Sequence, residues 1–376
     1  MSTLKADTVT AATTNGNLAI SNQGTGGIAI DGMPHRNLII NGDMRIAQRG
    51  TSFATVANGA YTLDRWRYNT VGAGAVTITQ DTSVPSGTNF THSLKVDVTT
   101  ADASLAASDQ YRLLTGLEGY NTEHLNLGES GAVAVTASFW VKSPKTGQHT
   151  ILFNNNAGDS TYPATYSVSS ADTWEQKSVT VTMRTSGTWL ATNLAALFVQ
   201  FPLAFGSDYH GTVNAWNDSF EQGNSSNVNC MDNTANNFFL TGVQLEVGAA
   251  ATDFEHRDYA SELARCQRYT QVMGGDNVNE MFGSGFATST SAFQTMHDLP
   301  TEMRAAPSGT FNTAASDYMF RQGGVSTALT SVGLNQIGRT TVGIYGGVSG
   351  TPLTAYRSGF VQSVNTNALI ILAAEL

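Results

Sequence analysis

Aromatic residues that follow predicted turns are the residues of this chain whose type and position could do chemistry. Trp174, Trp189 and Trp216 each come after turn-forming residues, where a ring can stand exposed, and Tyr162 and Tyr209 lie in predicted loops. Aromatic faces stack on the apolar C–H patches of sugars, while neighbouring Asn, Asp, Gln and Arg side chains bond the hydroxyl groups. These five residues are our carbohydrate-binding candidates, and packing into a core is the alternative role for each tryptophan.

Sequence patterns for catalysis are sparse. The seven histidines are scattered and form neither an HxxxH pair nor a Cys/His cluster, so we predict no zinc site. No GxSxG elbow or P-loop occurs. Glycoside cleavage needs two carboxylates at a set separation, and Asp208 with Asp218 is one such pair, but among 29 acidic residues a pairing has no weight without geometry. We therefore predict no enzymatic activity and no cofactor.

The elements that must position these residues are strands. Between residues 37 and about 255, apolar and polar residues alternate in short segments separated by Gly, Asn and Ser turns. Residues 194–201 are nearly all apolar, as in a strand buried on both faces. Trp66 and Trp140 are expected in the core. Eight or more strands at this spacing predict an all-β fold with a two-sheet sandwich. The clearest alternating segments are 75–80, 94–98, 133–141 and 179–183.

A strand followed by a helix links this sandwich to the rest of the chain. The alternation of residues 239–247 indicates the strand, and Gly274 with Gly275 is expected to end the helix. Either Asp258 or Ser261 can cap its first turn. We predict a connector helix over 259–275 whose apolar stripe packs in the core or against another copy of the chain. The stripe consists of Tyr259, Leu263, Cys266, Tyr269 and Met273.

Composition restricts the possible partners. The chain has 376 residues, of which 41% are hydrophobic and only 13% charged, against about 25% charged in average domains. A net charge of −10 argues against nucleic acid or an anionic membrane surface, because both require a basic patch. The first residues lack a signal-peptide core, and no apolar run is long enough to span a bilayer. We expect a soluble protein made in the cytoplasm and not inserted into a membrane.

The two ends of the chain differ from its middle. Residues 1–36 contain two similar segments, 17–21 and 27–31, which suggest rungs of a β-repeat that needs partner chains to bury its surface; a flexible tail is the alternative. Residues 276–376 are predicted to form a small β-sandwich closed by an apolar terminal strand. Cys266 is expected as a buried free thiol, and a bridge to Cys230 stays open.

Two multi-residue motifs carry a resemblance to a known class of protein. FFLTGVQLEVGAAATDFEHRDYASELARCQRY resembles a segment recurrent in bacteriophage tail fibre and related virion proteins, where a VQLE-x-G strand precedes a FEHR-type linker and an LxxCQRY helix. NLIINGDMRIAQRG through YTLDRW is similar to the first strands of the same jelly-roll module. Together the two motifs bracket residues 37–273.

The resemblance implies a functional organisation. Residues 1–36 would attach the fibre to other tail or virion proteins or intertwine as a trimer, and residues 37–258 would form a jelly roll like that of carbohydrate-binding modules. Residues 276–376 would be the distal tip. We expect a homotrimeric virion appendage that binds host-surface glycan. The alternatives are an architectural adaptor or decoration protein and a polysaccharide depolymerase; the short chain and the lack of a long β-helix repeat oppose the latter.

The same resemblance raises a calcium site. Related carbohydrate-binding jelly rolls often hold a structural calcium through acidic residues of an NGDFE-like first strand and an Asp pair in the last strand. Asn41, Gly42 and Asp43 match the start, but Arg45 stands where the glutamate would be, and Thr241 with Gly242 replaces the Asp pair. Calcium needs several carboxylate oxygens. We therefore predict an ion pair or turn between Asp43 and Arg45, and Asp43 stays a weak calcium candidate.

Overall fold

The computed structural model describes residues 36–275, 277–311 and 313–376. The predicted repeat in residues 1–36 lies, except for Arg36, outside the described residues. Within those ranges no helix has both the length and the apolar character needed to span a membrane.

The first unit is a two-sheet sandwich, as predicted. It has two antiparallel sheets of six strands each, and the strands are numbered along the chain. The first sheet has the order β1-β4-β5-β12-β7-β10. The second sheet has the order β2-β3-β6-β11-β8-β9. The all-β fold class is therefore confirmed. The strands are β1 (Ser52–Phe53), β2 (Ala60–Tyr61), β3 (Arg67–Val71), β4 (Ala75–Asp81), β5 (Ser93–Thr100), β6 (Gln110–Glu118), β7 (Ala134–Lys142), β8 (Gly147–Asn155), β9 (Thr161–Val168), β10 (Glu175–Thr182), β11 (Ala195–Phe205) and β12 (Asn237–Val247).

Short 3-10 turns occur in the connections of this unit. They are Gly119–Asn121, Glu123–Leu125 and Ser207–Tyr209.

The core lies between the two sheets. Along β7, Val135 and Phe139 point into it and are fully buried, because successive side chains of a strand face opposite sides. Trp66 is also fully buried and donates from Nε1 to the Asn41 carbonyl oxygen at 3.1 Å, as expected for a core tryptophan. Trp140 differs from the expectation: it lies one residue after Phe139, so its ring is on the outer face of the first sheet and only half-buried.

Strand β11 is buried along its whole length, which confirms the prediction for residues 195–201; Leu194 lies before the strand and is 49% exposed. Its inner side chains lie in the core, and the long connection 206–236 passes near the outer face of the same sheet. Gln222 in that connection donates from Nε2 to Gln110 Oε1 at 3.0 Å and accepts from Thr150 Oγ1 at 2.7 Å. Asn217 forms an isolated bridge with Thr161.

The connector helix is shorter than predicted. Helix α1 (Tyr259–Gln267) begins after Asp258, whose Oδ1 accepts from the Ser261 amide at 2.9 Å, and it ends eight residues before the predicted boundary at 275. Strand β13 (Thr270–Gly274) follows and pairs with residues 369–373. Met273 therefore lies on a strand opposite Ile370. The helical prediction was wrong for residues 270–274 because these residues form backbone hydrogen bonds with a strand almost 100 residues later in the chain. That pairing outweighs the helical spacing of their apolar residues.

The buried face of α1 also differs from the predicted stripe. Cys266 is buried as predicted, and Tyr269 is buried just beyond the helix. Leu263 is only half-buried, however, and Tyr259 is 57% exposed. Glu262, expected off the stripe, is the other buried residue of the helix.

Hydrogen bonding explains the inward position of Glu262. Its carboxylate accepts from Arg257 Nη1 at 3.0 Å and from the Asn41 amide, so the buried charge is satisfied. Helix α1 therefore holds the linker and the first segment of the sandwich together. Cys266 and Cys230 are both buried free thiols, in agreement with the expectation for Cys266.

The C-terminal unit is a closed barrel with a small extra sheet instead of the expected sandwich. The barrel has the order β14-β15-β19-β18-β17-β20, and β13-β21-β16 form a three-stranded sheet. Closure removes the free edges that a two-layer arrangement would leave. The strands are β14 (Met281–Ala287), β15 (Ala292–Asp298), β16 (Ser308–Phe311), β17 (Tyr318–Gln322), β18 (Val325–Asn335), β19 (Thr341–Val348), β20 (Ser358–Ser363) and β21 (Leu369–Ala373), with a 3-10 turn at Ala315–Asp317.

Buried charged groups connect the C-terminal unit to the sandwich, and we call this contact the joint. Glu375 accepts from Arg49 Nη2 at 2.8 Å and pairs with Arg65, which is fully buried. Glu118, at the end of β6, accepts from Arg268 Nε and from the Tyr269 hydroxyl, each at 2.8 Å. Because Glu375 of the C-terminal unit pairs with the sandwich, and Glu118 of the sandwich pairs with the connector that leads into β13, the joint is part of the folded core.

Candidate functional site

Three of the five predicted sugar-binding residues form one aromatic cluster. Trp216 lies between Tyr162 and Trp189, with ring centroids 5.3 and 5.9 Å apart and edge-to-face geometry. All three rings are half-buried and pack against the main core of the sandwich. Their polar atoms are already used: Trp189 Nε1 donates to Ser186 O at 3.1 Å, Trp216 Nε1 to Thr182 O at 3.0 Å and the Tyr162 hydroxyl to Asn214 O at 2.8 Å.

Trp174 lies apart from that cluster, just before β10. Its ring centroid is 6.0 Å from that of Phe239, and Lys142 Nζ lies 5.4 Å from the Trp174 ring centroid. Its Nε1 is buried, and no described residue accepts a hydrogen bond from it. The ring thus packs on the outer side of the first sheet together with a cation, away from the other four candidates.

Tyr209 lines a groove of about 310 Å³ on the outer face of the second sheet. We use "the groove" for this cavity throughout. Its aromatic walls are Tyr209, Phe220 and Phe198. The Tyr209 and Phe220 ring centroids are 6.1 Å apart with an interplanar angle of 87°, so the two rings form a corner.

The strand register determines the floor of the groove. On β6, Tyr111 and Leu113 point into the core. The residues that alternate with them, Gln110 and Arg112, must therefore point outward. On β11, the buried Gln200 lies opposite Leu114 of β6 and also faces the groove. The floor is therefore built from neighbouring strands, whereas Tyr209 and Phe220 come from the 206–236 connection.

Amide side chains supply the hydrogen-bonding groups of the floor. Gln200 Nε2 donates to Asn154 Oδ1, which leaves the Gln200 Oε1 atom buried without a partner among the described residues. Gln110 accepts from Gln222 through Oε1 and therefore keeps its own NH2 group available. Asn156 lies exposed at the rim. The groove thus offers both donors and acceptors next to aromatic rings.

Two arginines also line the groove. The Arg112 guanidinium carbon lies 4.8 Å from the Phe220 ring centroid, and that of Arg67 lies 5.6 Å from the Phe198 centroid. Burial lowers the pKa of Arg112 to about 10, so the group is still protonated at neutral pH. The groove lining contains no aspartate or glutamate.

The Asp43 region is a local ion pair, as predicted. Asp43 Oδ2 lies 3.0 Å from Arg45 Nε. Burial raises the pKa of Asp43, and this outweighs the opposing effect of Arg45. In the part of the chain that the structure describes, no group of three or more His, Cys, Asp or Glu residues could hold a metal ion.

Comparisons with known proteins give fold neighbours at low similarity. No family model matches the chain, and no curated protein matches it. The tailspike protein 4 enzymatically active domain of bacteriophage CBA120 is 13% identical with a TM-score of 0.32; the match covers 57% of this chain and 22% of that domain. A family 11 carbohydrate-binding module from Clostridium thermocellum is 11% identical with a TM-score of 0.26, covering 55% of this chain and 98% of the module.

A carbohydrate-binding module solved in complex with β-1,4-galactotriose is 10% identical with a TM-score of 0.27, and the match covers 56% of this chain and 99% of that one. The structural neighbours thus include carbohydrate-binding modules and a phage tailspike domain. At these TM-scores the fold assignment rests on the strand order described above.

Most residues of the groove could not be identified from the sequence. Tyr209 was a candidate, but Arg112, Phe220 and Gln200 were not. One signal was available: Arg112 is a cation within the apolar alternation of β6, at a position that must face outward. No local pattern indicates that Phe220 lies above it, because a connection of about 30 residues brings the two together.

Proposed function

We propose that this protein is a virion appendage of the tail fibre class that binds a host-surface glycan through the groove. The observation that supports glycan binding is the convergence of Tyr209, Phe220 and Phe198 with amide and guanidinium groups in one cavity. Rings that stack on sugar C–H groups beside donors and acceptors for hydroxyls are what carbohydrate recognition requires. The volume lies near the lower end of the usual ligand-site range of about 300–1,000 Å³, which suits a short stretch of a polysaccharide.

Contact between the two motif segments supports the virion assignment. The Leu38 amide donates to the Leu245 carbonyl oxygen at 2.8 Å, and the Val243 amide donates to Gly42 O at 2.9 Å. The segments that resemble tail fibre proteins are therefore neighbours in one module, although about 200 residues separate them. In the proposed assembly three copies present three grooves and gain avidity.

Binding without cleavage is the activity we assign to the groove. Asp208 and Asp218, the carboxylate pair considered for glycoside cleavage, are absent from its lining. Asp218 is instead exposed and paired with Arg184. A depolymerase needs two carboxylates placed around the scissile bond, and the groove lining contributes none.

Substitution of the aromatic corner tests the glycan-binding proposal. Purified protein is applied to an array of bacterial surface polysaccharides, and the affinity for the polymers that bind is then measured. We expect Tyr209→Ala and Phe220→Ala each to weaken binding about tenfold or more, because each removes a stacking surface. Trp174→Ala is the matched control, since it removes a half-buried ring outside the groove.

Loss of binding in the Trp174 variant with retention in both corner variants would contradict the groove assignment. Retained binding by all three variants would also contradict the groove assignment. If the protein binds no glycan at all but does bind other virion proteins, the hypothesis of an architectural adaptor replaces this proposal. Thermal unfolding of each variant checks that lost binding is not lost folding.

A further inference from the structure

Arg112 is a half-buried cation for which the described residues provide no polar partner. Its Nε and Nη1 atoms are both buried, and among the described residues none forms a hydrogen bond or an ion pair with its guanidinium. The contact that the structure shows is with the face of Phe220. A ring face attracts a guanidinium but leaves its N–H donors unsatisfied.

Other buried arginines of this chain are paired. Arg65 bonds Glu375 and the Gly116 carbonyl oxygen, and Arg257 bonds Glu262. Arg304 donates to three backbone carbonyl oxygens, each at 2.7 Å. Removing a charge from water without a partner is costly, so a purely structural arginine would be expected to have such partners. Arg112 has no such partner among the described residues, and its guanidinium lines the groove, where its donors can bind a ligand in place of water.

The groove lining contains two cations and no carboxylate. Arg67 lines the same groove and donates from Nη1 to the Leu376 carbonyl oxygen at 3.1 Å. Burial is the main cause of the lowered pKa of Arg112; of the neighbouring groups, Tyr209 acts to raise that pKa and Arg67 to lower it. Glu221 follows Phe220 in sequence, but it packs against Gly211 and accepts from the Ser219 hydroxyl through Oε1 at 2.7 Å, outside the groove lining. An anion entering the groove therefore meets two guanidinium groups and no carboxylate.

We propose that the groove selects an acidic saccharide, in which an oxyanion substituent of the sugar is bound by Arg112 while the sugar ring stacks in the corner of Tyr209 and Phe220. This inference rests on the proposed glycan-binding function and specifies its ligand class. Arginine suits the task because its planar donors match carboxylate and sulfate oxygens. The oxyanion can be the carboxylate of a uronic acid or a sulfate ester, and the experiment separates these two sources.

Matched charged and neutral polymers test the proposal on the full chain. The probes are polygalacturonate against its carboxyl-reduced form, and dextran sulfate against dextran. We expect affinity for one of the charged polymers to exceed that for its neutral counterpart at least tenfold, and Arg112→Gln to remove that preference. The pair that shows the preference identifies the oxyanion. Arg321→Gln, on the exposed face of the barrel, makes the same charge change and should keep it.

The unfolding midpoint of the Arg112 variant separates a structural role from a ligand-binding role. Arg112→Gln removes a half-buried charge that has no ion-pair partner among the described residues, so we expect an unchanged or raised unfolding midpoint. A clear fall would indicate a structural arginine and would count against the proposal. Should the variant not fold, Arg112→Lys serves in its place and is expected to retain part of the preference through its charge.

The outcomes distinguish this inference from the function on which it rests. Equal binding of charged and neutral polymers, unchanged in Arg112→Gln, overturns the acidic-saccharide inference and leaves glycan binding intact. An equal loss in the Arg321 variant indicates non-specific attraction and overturns it as well. Absence of binding both to these polymers and to the polysaccharide array overturns the inference together with the proposed function.

Discussion

The buried charges of this protein divide into two kinds. At the joint, Glu375 of the C-terminal unit accepts from Arg49 and Arg65 of the sandwich, and Glu118 of the sandwich accepts from Arg268 and Tyr269, which lie between α1 and β13. In the groove, the Arg112 guanidinium lies over the Phe220 ring and has no hydrogen-bond or ion-pair partner among the described residues. The paired charges at the joint specify one arrangement of the chain, whereas the charge in the groove is the one that we propose to bind a ligand. The difference is visible in single residues before any function is assigned.

Glu375 should make stability depend on pH. Burial raises the pKa of this carboxyl, but Arg65 and Arg49 more than offset that, so its pKa stands below the ordinary value. A lowered native pKa means that its contribution to stability is present above the unfolded value of about 4.3 and is lost as the pH falls through the native value. We expect Glu375→Gln to lower the free energy of unfolding by about 3 kcal/mol at pH 7, and by progressively less below pH 4.

Urea unfolding of both proteins between pH 3 and 7 measures this difference. The control is Glu302→Gln, which removes the partner of Arg339 in an ion pair whose side chains are 54% and 49% exposed. Exposed pairs contribute about 0–1 kcal/mol, so this variant should follow the unsubstituted protein closely. A Glu375 variant whose unfolding free energy runs parallel to that of the unsubstituted protein at every pH would contradict the expected role.

At the scale of elements, the strand β12 and the segment before β1 depend on each other. A side chain added at Gly42 would place its Cβ 2.0 Å from the Val243 carbonyl oxygen, a backbone atom that cannot rotate away. Asn37 Nδ2 also donates to that oxygen at 3.1 Å. The glycine of the NGD motif is therefore required by the approach of the last strand of the sandwich.

Gly42→Ala should accordingly destabilise the sandwich. Overpacking against backbone costs about 1–3 kcal/mol or more, and here it also threatens the hydrogen bonds between the two segments. The measurement is the free energy of unfolding in denaturant. Gly131→Ala is the matched control, because an added Cβ there meets no atom closer than 3.5 Å. Similar stability of the two variants would show that β12 can move away without cost.

Elements with local signals were predictable, and elements that depend on distant partners were not. The double-sided burial of β11 follows from its nearly continuous apolar run, and the capping of α1 by Asp258 follows from residue type. The end of α1 does not, because strand β13 is selected by pairing with β21. For the same reason the groove was only partly foreseen: its residues share a cavity through strand register and a long connection, and sequence order carries neither.

At the scale of the whole molecule, self-association is the property to measure first. The homotrimer of the proposed fibre has a mass of about 120 kDa, three times 39.8 kDa. We expect light scattering on the purified full chain to give that value, since closed symmetric assemblies are the common form of homo-oligomers. A stable monomer would contradict the trimer and favour the adaptor reading. Dilution over a hundredfold range checks that the assembly is not a weak association.

The joint has a geometric consequence for any such assembly. Turning the C-terminal unit against the sandwich would separate Glu375 and Glu118 from their arginines, so the direction in which each groove opens is fixed by the fold. In a symmetric assembly, the distance between the grooves of neighbouring copies is then constant. The proposed assembly would therefore discriminate polymers by the distance between repeating units as well as by their chemistry, because a second contact adds avidity only where a repeat lies under the next groove.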